Sequence, residues 1–218
     1  MNPFRSPTED RAIEWFVPHP DVRERHEIDV HAPAEVVFES AERFELLAVP
    51  AVRGIFRLRE RLMGSRGRTE RDARPFLESA RAMGWGTLVF RPGREIVMGA
   101  ETRPWLADVT FEPLPADDFA ADARPDRVKI AWSLESRPIG PALTRLASET
   151  RVVANDEASR RKFARYWRWA RFGIVGIRWL ILPAIRRDAE ERWRERNAGV
   201  RPANFRPVEP RNAHALPR

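Results

Sequence analysis

The chain has 218 residues, 43% of them hydrophobic, which is enough for one buried domain with tails and argues against wholesale disorder. Its net charge is +7, but nearly all of its 39 basic residues are arginines scattered among 32 acidic residues, which favours solvated faces over a nucleic-acid-binding stripe. The lack of cysteine excludes disulfides and thiolate metal sites, and the polar N-terminus lacks the apolar core of a secretory signal, so we expect a cytoplasmic protein.

The first third of the chain predicts an arm, a strand and two helices. Residues 1–24 are rich in proline and predict an extended N-terminal arm, whereas residues 26–32 alternate apolar and polar side chains as a half-buried strand does. Pro33 suits the first helical position because proline donates no N–H, and Glu35 follows where the helix dipole favours a carboxylate. A second helix follows Pro50, with apolar side chains on one face and arginines on the other.

The middle of the chain predicts consecutive strands. Two apolar runs flank Pro92-Gly93, and proline followed by glycine suits the tight turn of a hairpin. A third strand is expected near 109–111, and further strands at 128–134 and 144–153. Because these strands follow one another with short connections, they predict an antiparallel sheet.

The last element is predicted to be a long helix. Asn155-Asp156 offers an N-cap, and apolar side chains then recur at three- and four-residue steps through residues 157–182. Pro183 is expected to kink or break the helix, and residues 197–218 read as a disordered tail. The apolar run 172–185 has only 14 residues, whereas a bilayer span needs about 20, so we expect it to be half buried in the protein.

Several local motifs, in this order of elements, resemble the helix-grip superfamily, also called START-like or SRPBCC, and more narrowly its polyketide cyclase-like bacterial branch of unknown function. The matching segments are Val30-His31-Ala32-Pro33, Gly84-Trp85-Gly86, Glu95-Ile96-Val97-Met98-Gly99, Ser148-Glu149-Thr150-Arg151-Val152 and Arg165-Tyr166-Trp167. The resemblance implies an α+β fold in which a curved antiparallel sheet wraps around a long C-terminal helix, with two short helices after the first strand. We expect that domain to span 25–196.

The resemblance also implies an apolar cavity between the sheet and the helix. Ligand pockets are mostly apolar and aromatic with a few polar groups. The candidate cavity residues are therefore Trp85, Met98, Trp105, Phe111, Ile130, Trp132, Phe163, Tyr166 and Trp167, with Glu101 and Arg103 as candidate polar ligand contacts. Packing of the same side chains in a solid core is the competing interpretation for each of them.

Catalytic and metal-binding motifs are sparse in this sequence. The four histidines have no ligand spacing, so we expect no metal and no cofactor, and we assign no catalytic residue. Glu149 and Arg151 lie two apart on one strand and predict a cross-strand ion-pair network.

The leading hypothesis is binding of a hydrophobic small molecule of the lipid, polyketide or isoprenoid type, with no nucleic-acid partner. One alternative is a cyclase- or dehydrase-like enzyme using polar residues of the same cavity. Another is a peripheral membrane protein that contacts the bilayer surface through helix 172–185, where tryptophan and flanking arginines suit an interface. The sequence predicts no particular oligomeric state.

Overall fold

A computed structural model describes the protein over residues 11–64, 75–119, 121 and 124–198. The strands are β1 (Val22–Val30), β2 (Gly86–Arg91), β3 (Glu95–Thr102), β4 (Phe111–Glu112), β5 (Val128–Gly140) and β6 (Leu143–Ala154). The helices are α1 (Ile13–Phe16), α2 (Ala34–Arg43), α3 (Pro50–Met63), α4 (Phe76–Ala82), α5 (Ala116–Phe119) and α6 (Glu157–Ala198), with a 3₁₀ turn at Leu46–Ala48. The α+β class and the long closing helix are confirmed, and α2 and α3 do follow the first strand.

The six strands form one curved antiparallel sheet in the order β1-β6-β5-β3-β2, with β4 paired to the end of β3. One row of register partners crosses the sheet from Glu24 through Thr150 and Trp132 to Met98. Because side chains alternate along each strand, the members of such a row share one face of the sheet. We call this the helix face, since α6 packs on it, and the opposite side the outer face.

The helix face carries the largest apolar core. Side chains of α2 and of the second half of α6 meet strand side chains there, and Val37, Phe38, Ile96, Met98, Leu146 and Ala189 are fully buried. The apolar face predicted for the helix after Pro33 therefore packs as expected, although α2 starts at Ala34 with Pro33 as its N-cap.

The outer face is covered by the segment that the sequence predicted to be an extended arm. Residues 13–16 form the short helix α1, and Ile13 and Val17 are buried against Val97, Ala131 and Phe119. β1 also begins at Val22, four residues earlier than the predicted strand. Residues 11–24 are thus part of the folded domain, and only residues 1–10 of the predicted arm lie outside the described residues.

A buried carboxylate ties this segment to the outer face. Glu149 is fully buried and accepts hydrogen bonds from Arg11 Nη1 at 2.7 Å, Arg23 Nε at 2.8 Å, Arg25 Nη1 at 3.2 Å and Arg151 Nε at 2.7 Å. Burial opposes the charged form of Glu149, but the Arg151 hydrogen bond and the Arg11 charge outweigh it and hold the pKa of Glu149 below its ordinary value. The predicted ion-pair network around Glu149 and Arg151 is confirmed.

The hairpin turn and the start of the closing helix follow their sequence signals, whereas the expected break at Pro183 does not occur. Gly93 takes a φ of +72° in the hairpin between β2 and β3, a conformation that glycine adopts without strain. Asp156 caps α6, accepting a hydrogen bond from the Ser159 amide at 2.7 Å. α6 continues through Pro183 without a break and ends at Ala198, while the rest of the predicted tail, residues 199–218, lies outside the described residues.

Candidate functional site

The nine predicted cavity residues separate into two aromatic clusters under α6. The first contains Trp85, Met98, Phe111 and Trp132, which lie on or next to β2, β3, β4 and β5. The Trp85 ring stacks on Phe111 with centroids 4.8 Å apart, and Trp132 lies 6.5 Å from Trp85 and 5.0 Å from Phe76 of α4. Aromatic rings at these separations are in packing contact. This cluster is therefore packed as part of the hydrophobic core.

The second cluster lies where α6 begins. It contains Trp105, Ile130, Phe163, Tyr166 and Trp167, packed with the buried ends of β5 and β6. Phe163 stands 5.7 Å from Trp167 and 6.1 Å from Tyr166, centroid to centroid. The sequence pattern thus identified side chains that share the helix face, but the fold divides them between two places along α6.

The two predicted polar contacts lie elsewhere. Glu101 lies on the outer face with Val97 and Gly99, where it is fully buried, accepts a hydrogen bond from Asn155 Nδ2 at 2.5 Å and pairs with Arg124. Arg103 follows β3 in a turn, where its carbonyl accepts the Leu106 amide at 3.1 Å. Strand alternation points the Glu101 side chain away from α6, so this candidate polar contact does not face the space beneath that helix.

A different set of polar side chains occupies the helix face beside the β1 edge. Arg178 of α6 is only 8% exposed, and its Nη2 donates a hydrogen bond to the Thr150 hydroxyl of β6. Arg178 Nη1 is buried and has no hydrogen-bond partner among the described residues. Leaving a buried charged donor unsatisfied costs about 1–3 kcal/mol or more, so this guanidinium is held at an energetic cost.

Glu24 and His26 of β1 complete the cluster. His26 Nε2 lies 3.9 Å from the Glu24 carboxylate, and the His26 ring stands 6.5 Å from the Trp179 ring. Burial, followed by the positive charge of Arg178, lowers the pKa of His26, although Glu24 opposes this effect. Burial likewise lowers the pKa of Arg178, but a guanidinium stays protonated at neutral pH. At neutral pH the cluster therefore combines the protonated Arg178, a neutral His26 imidazole and the side chain of Glu24.

An open groove of about 460 Å³ runs along α6 next to this cluster. Its walls are mostly apolar, and it is lined by Glu24, Arg171, Phe172, Val175, Gly176 and Trp179. Glu24 belongs to both the groove and the polar cluster, and Arg178 is the chain neighbour of Trp179. The nine predicted cavity residues do not line this groove. Glu24 therefore connects the apolar groove to the polar cluster, whereas Arg178 itself does not line the groove.

Two features of the sequence indicate Glu24, His26 and Arg178, which were not among the predicted site residues. Glu24 and His26 occupy positions of β1 whose side chains turn towards the helix face, where apolar residues are the norm. Arg178 interrupts the most apolar stretch of the chain, residues 172–185. A charge at an inward position signals either a paired structural ion or a binding group.

Comparison with known proteins adds no family assignment: a scan against protein-family models finds no match, and a search of curated proteins finds no similar sequence. Within the described ranges, no helix is long and apolar enough to cross a membrane. No group of three or more acidic or histidine side chains in those ranges is placed to hold a metal ion.

Proposed function

We propose that the protein binds a hydrophobic small molecule, of the lipid, polyketide or isoprenoid type, between the helix face of the sheet and α6. We further propose that the sheet and α6 form a helix-grip domain, as the sequence motifs imply. The observation that carries the binding proposal is the buried Arg178, whose Nη1 has no hydrogen-bond partner among the described residues, beside an apolar groove.

The unsatisfied guanidinium favours a ligand with an acceptor group. A carboxylate or carbonyl oxygen placed at Arg178 Nη1 would complete its hydrogen bonds, which are stronger when the acceptor is charged. Burial lowers the pKa of Arg178 and the nearby Glu24 opposes this effect, yet Glu24 accepts no hydrogen bond from Arg178 Nη1. The ligand would therefore accept the hydrogen bond that no side chain of the described residues accepts from Arg178 Nη1.

The groove supplies the complementary apolar surface. Its volume of about 460 Å³ lies within the range of roughly 300–1,000 Å³ that is usual for small-molecule sites. Phe172, Val175 and Trp179 would contact the apolar body of the ligand, while Arg178 holds its polar end. The expected ligand is amphipathic, with one anionic or strongly polar terminus.

The test compares two fluorescent probes on the full chain. Anilinonaphthalene sulfonate carries an anion, whereas Nile red is apolar and uncharged. We expect Arg178→Met to weaken sulfonate-probe binding about 10- to 100-fold, the value of a charged hydrogen bond, and to leave Nile red affinity within about threefold. Arg165→Met, at an exposed arginine of the same helix, is the matched control and should change neither affinity.

Stability provides an independent readout. Because Arg178 is buried with an unmade hydrogen bond, methionine of similar length should preserve or raise the free energy of unfolding. Equal binding of both probes by Arg178→Met and wild-type protein would overturn the proposal. Native mass spectrometry of freshly purified protein should reveal a co-purified amphipathic compound that the Arg178→Met variant retains less well.

A further inference from the structure

Large apolar side chains are exposed on two neighbouring helices, α3 and α6. On α3, Leu58 and Leu62 are 58% and 66% exposed, and on α6, Phe172 and Trp179 are 68% and 70% exposed. Spacings of four and seven residues place each pair on one side of its helix. Exposed apolar side chains grouped in this way mark interaction surfaces.

The two helices pack closely enough to form one surface. A Cβ atom on Gly173 would lie 3.2 Å from Ile55 Cγ2, and one on Gly176 would lie 3.9 Å from Ile55 Cδ1. The small residues of α6 thus admit Ile55 of α3 beside Phe172. Leu58 lies one turn further along α3. We call the exposed sides of 50–63 and 165–187 the two-helix surface.

The charge around this surface is mostly positive. Between residues 158 and 187, α6 has no acidic residue and nine basic ones: Arg160, Arg161, Lys162, Arg165, Arg168, Arg171, Arg178, Arg186 and Arg187. On α3, Glu60 is accompanied by four arginines, at 53, 57, 59 and 61. Only Arg160, Arg161 and Lys162 of these basic residues pair with an acidic side chain within the described ranges, and all three precede the two-helix surface.

We propose that the two-helix surface docks the protein onto an anionic lipid bilayer, an interaction beyond small-molecule binding. Tryptophan, phenylalanine and leucine among arginines are the side chains that enter the headgroup region while cations meet lipid phosphates and carboxylates. The positive charge is complementary to an anionic membrane, so we expect stronger binding to anionic than to neutral lipid. The apolar side chains distinguish this surface from one that attracts phosphates by charge alone.

The experiment is vesicle flotation of the full chain. Phosphatidylcholine vesicles are compared with vesicles containing one third phosphatidylserine. The test variant is Leu58→Glu/Leu62→Glu, since neither side chain lines the α6 groove, and the control is Ile139→Glu, which is 40% exposed on β5. We expect binding to the anionic vesicles, a weakening of at least tenfold in the double variant, and no change in the control. Each of Arg57→Gln and Arg61→Gln should weaken binding about fivefold.

The outcomes separate this proposal from the ligand site. Loss of flotation in Leu58→Glu/Leu62→Glu with unchanged probe binding supports docking by the two-helix surface. Equal flotation with neutral and anionic vesicles, or full flotation of the double variant, overturns it. Salt-sensitive binding to duplex DNA without vesicle binding would also overturn it and assign the arginines to phosphate backbones.

Discussion

Replacing Trp132 with alanine tests whether the first aromatic cluster is solid core. Trp132 is 8% exposed, and its ring contacts Trp85 and Phe76 from two sides. A buried tryptophan removes about 150–250 Å² from water, worth roughly 4–6 kcal/mol at 25 cal/mol per Å². Alanine keeps part of that burial, and measured truncations of this kind cost about 3–5 kcal/mol. We therefore expect Trp132→Ala to lower the free energy of unfolding by that amount.

Urea denaturation followed by circular dichroism measures this loss without relying on tryptophan fluorescence. The control is Trp15→Ala, because Trp15 is 56% exposed and should cost less than half as much. Nile red affinity should be unchanged in Trp132→Ala, since Trp132 does not line the groove along α6. A loss near 1 kcal/mol together with weakened Nile red binding would show that Trp132 lines a ligand space, and would refute both the filled-core assignment and our placement of the site.

Three further predictions concern charge and backbone. Glu149→Gln should cost about 3 kcal/mol because it leaves the buried Arg151 guanidinium and three partly exposed arginines without their shared anion. Since the folded pKa of Glu149 is lowered, its contribution is present above about pH 4.3 and is lost as pH falls through the folded pKa, so acid titration of stability should be shallower in the variant. Asp156→Asn should lower the urea midpoint at pH 6 but not at pH 1.5, because hydrogen bonds from Ser159, and then from the Asp126 amide, lower the pKa of Asp156 to about 2. Gly84→Ala should cost at least about 2 kcal/mol, since Gly84 has a φ of +97° and its added Cβ would lie 2.1 Å from a carbonyl oxygen, whereas Gly54→Ala, with open space, should be neutral or stabilising in the same melts.

The secondary-structure elements that could be predicted from the sequence are those whose patterns involve only neighbouring residues. Alternation located the strands at 128–134 and 144–153, and the Asn155-Asp156 pair located the start of α6, because these patterns depend on neighbouring residues alone. The start of β1 was not predicted, since charged side chains such as Arg23 and Arg25 are typical of a solvated arm. Their shared partner, Glu149, lies more than 120 residues away, and only the folded sheet brings it to them.

In the candidate site, too, local features could be predicted from the sequence, whereas features that depend on tertiary contacts could not. Aromatic residues of the helix face were identified by type and spacing, yet their separation into two clusters depends on where α6 crosses the sheet. Glu101 was a candidate contact because it lies near Trp105 in sequence, whereas strand alternation places it on the face opposite Met98, where its partners Arg124 and Asn155 come from loops. Arg178 appeared only as an interruption of an apolar run. Its burial against Thr150 depends on how α6 packs on the sheet, so it cannot be predicted from the local periodicity of the sequence.

The position of α6 in the chain has a consequence for synthesis on the ribosome. All six strands are translated before α6, so the apolar helix face is complete while the 42-residue helix that covers it is still being made. Contacts between α2 and the end of α6 join residues about 150 positions apart, and such late, distant pairings slow folding. The apolar helix face of the nascent sheet therefore stays exposed to solvent until α6 has been synthesised. We expect expression at lower temperature, or together with a chaperone that binds unfolded chains, to raise the yield of folded protein.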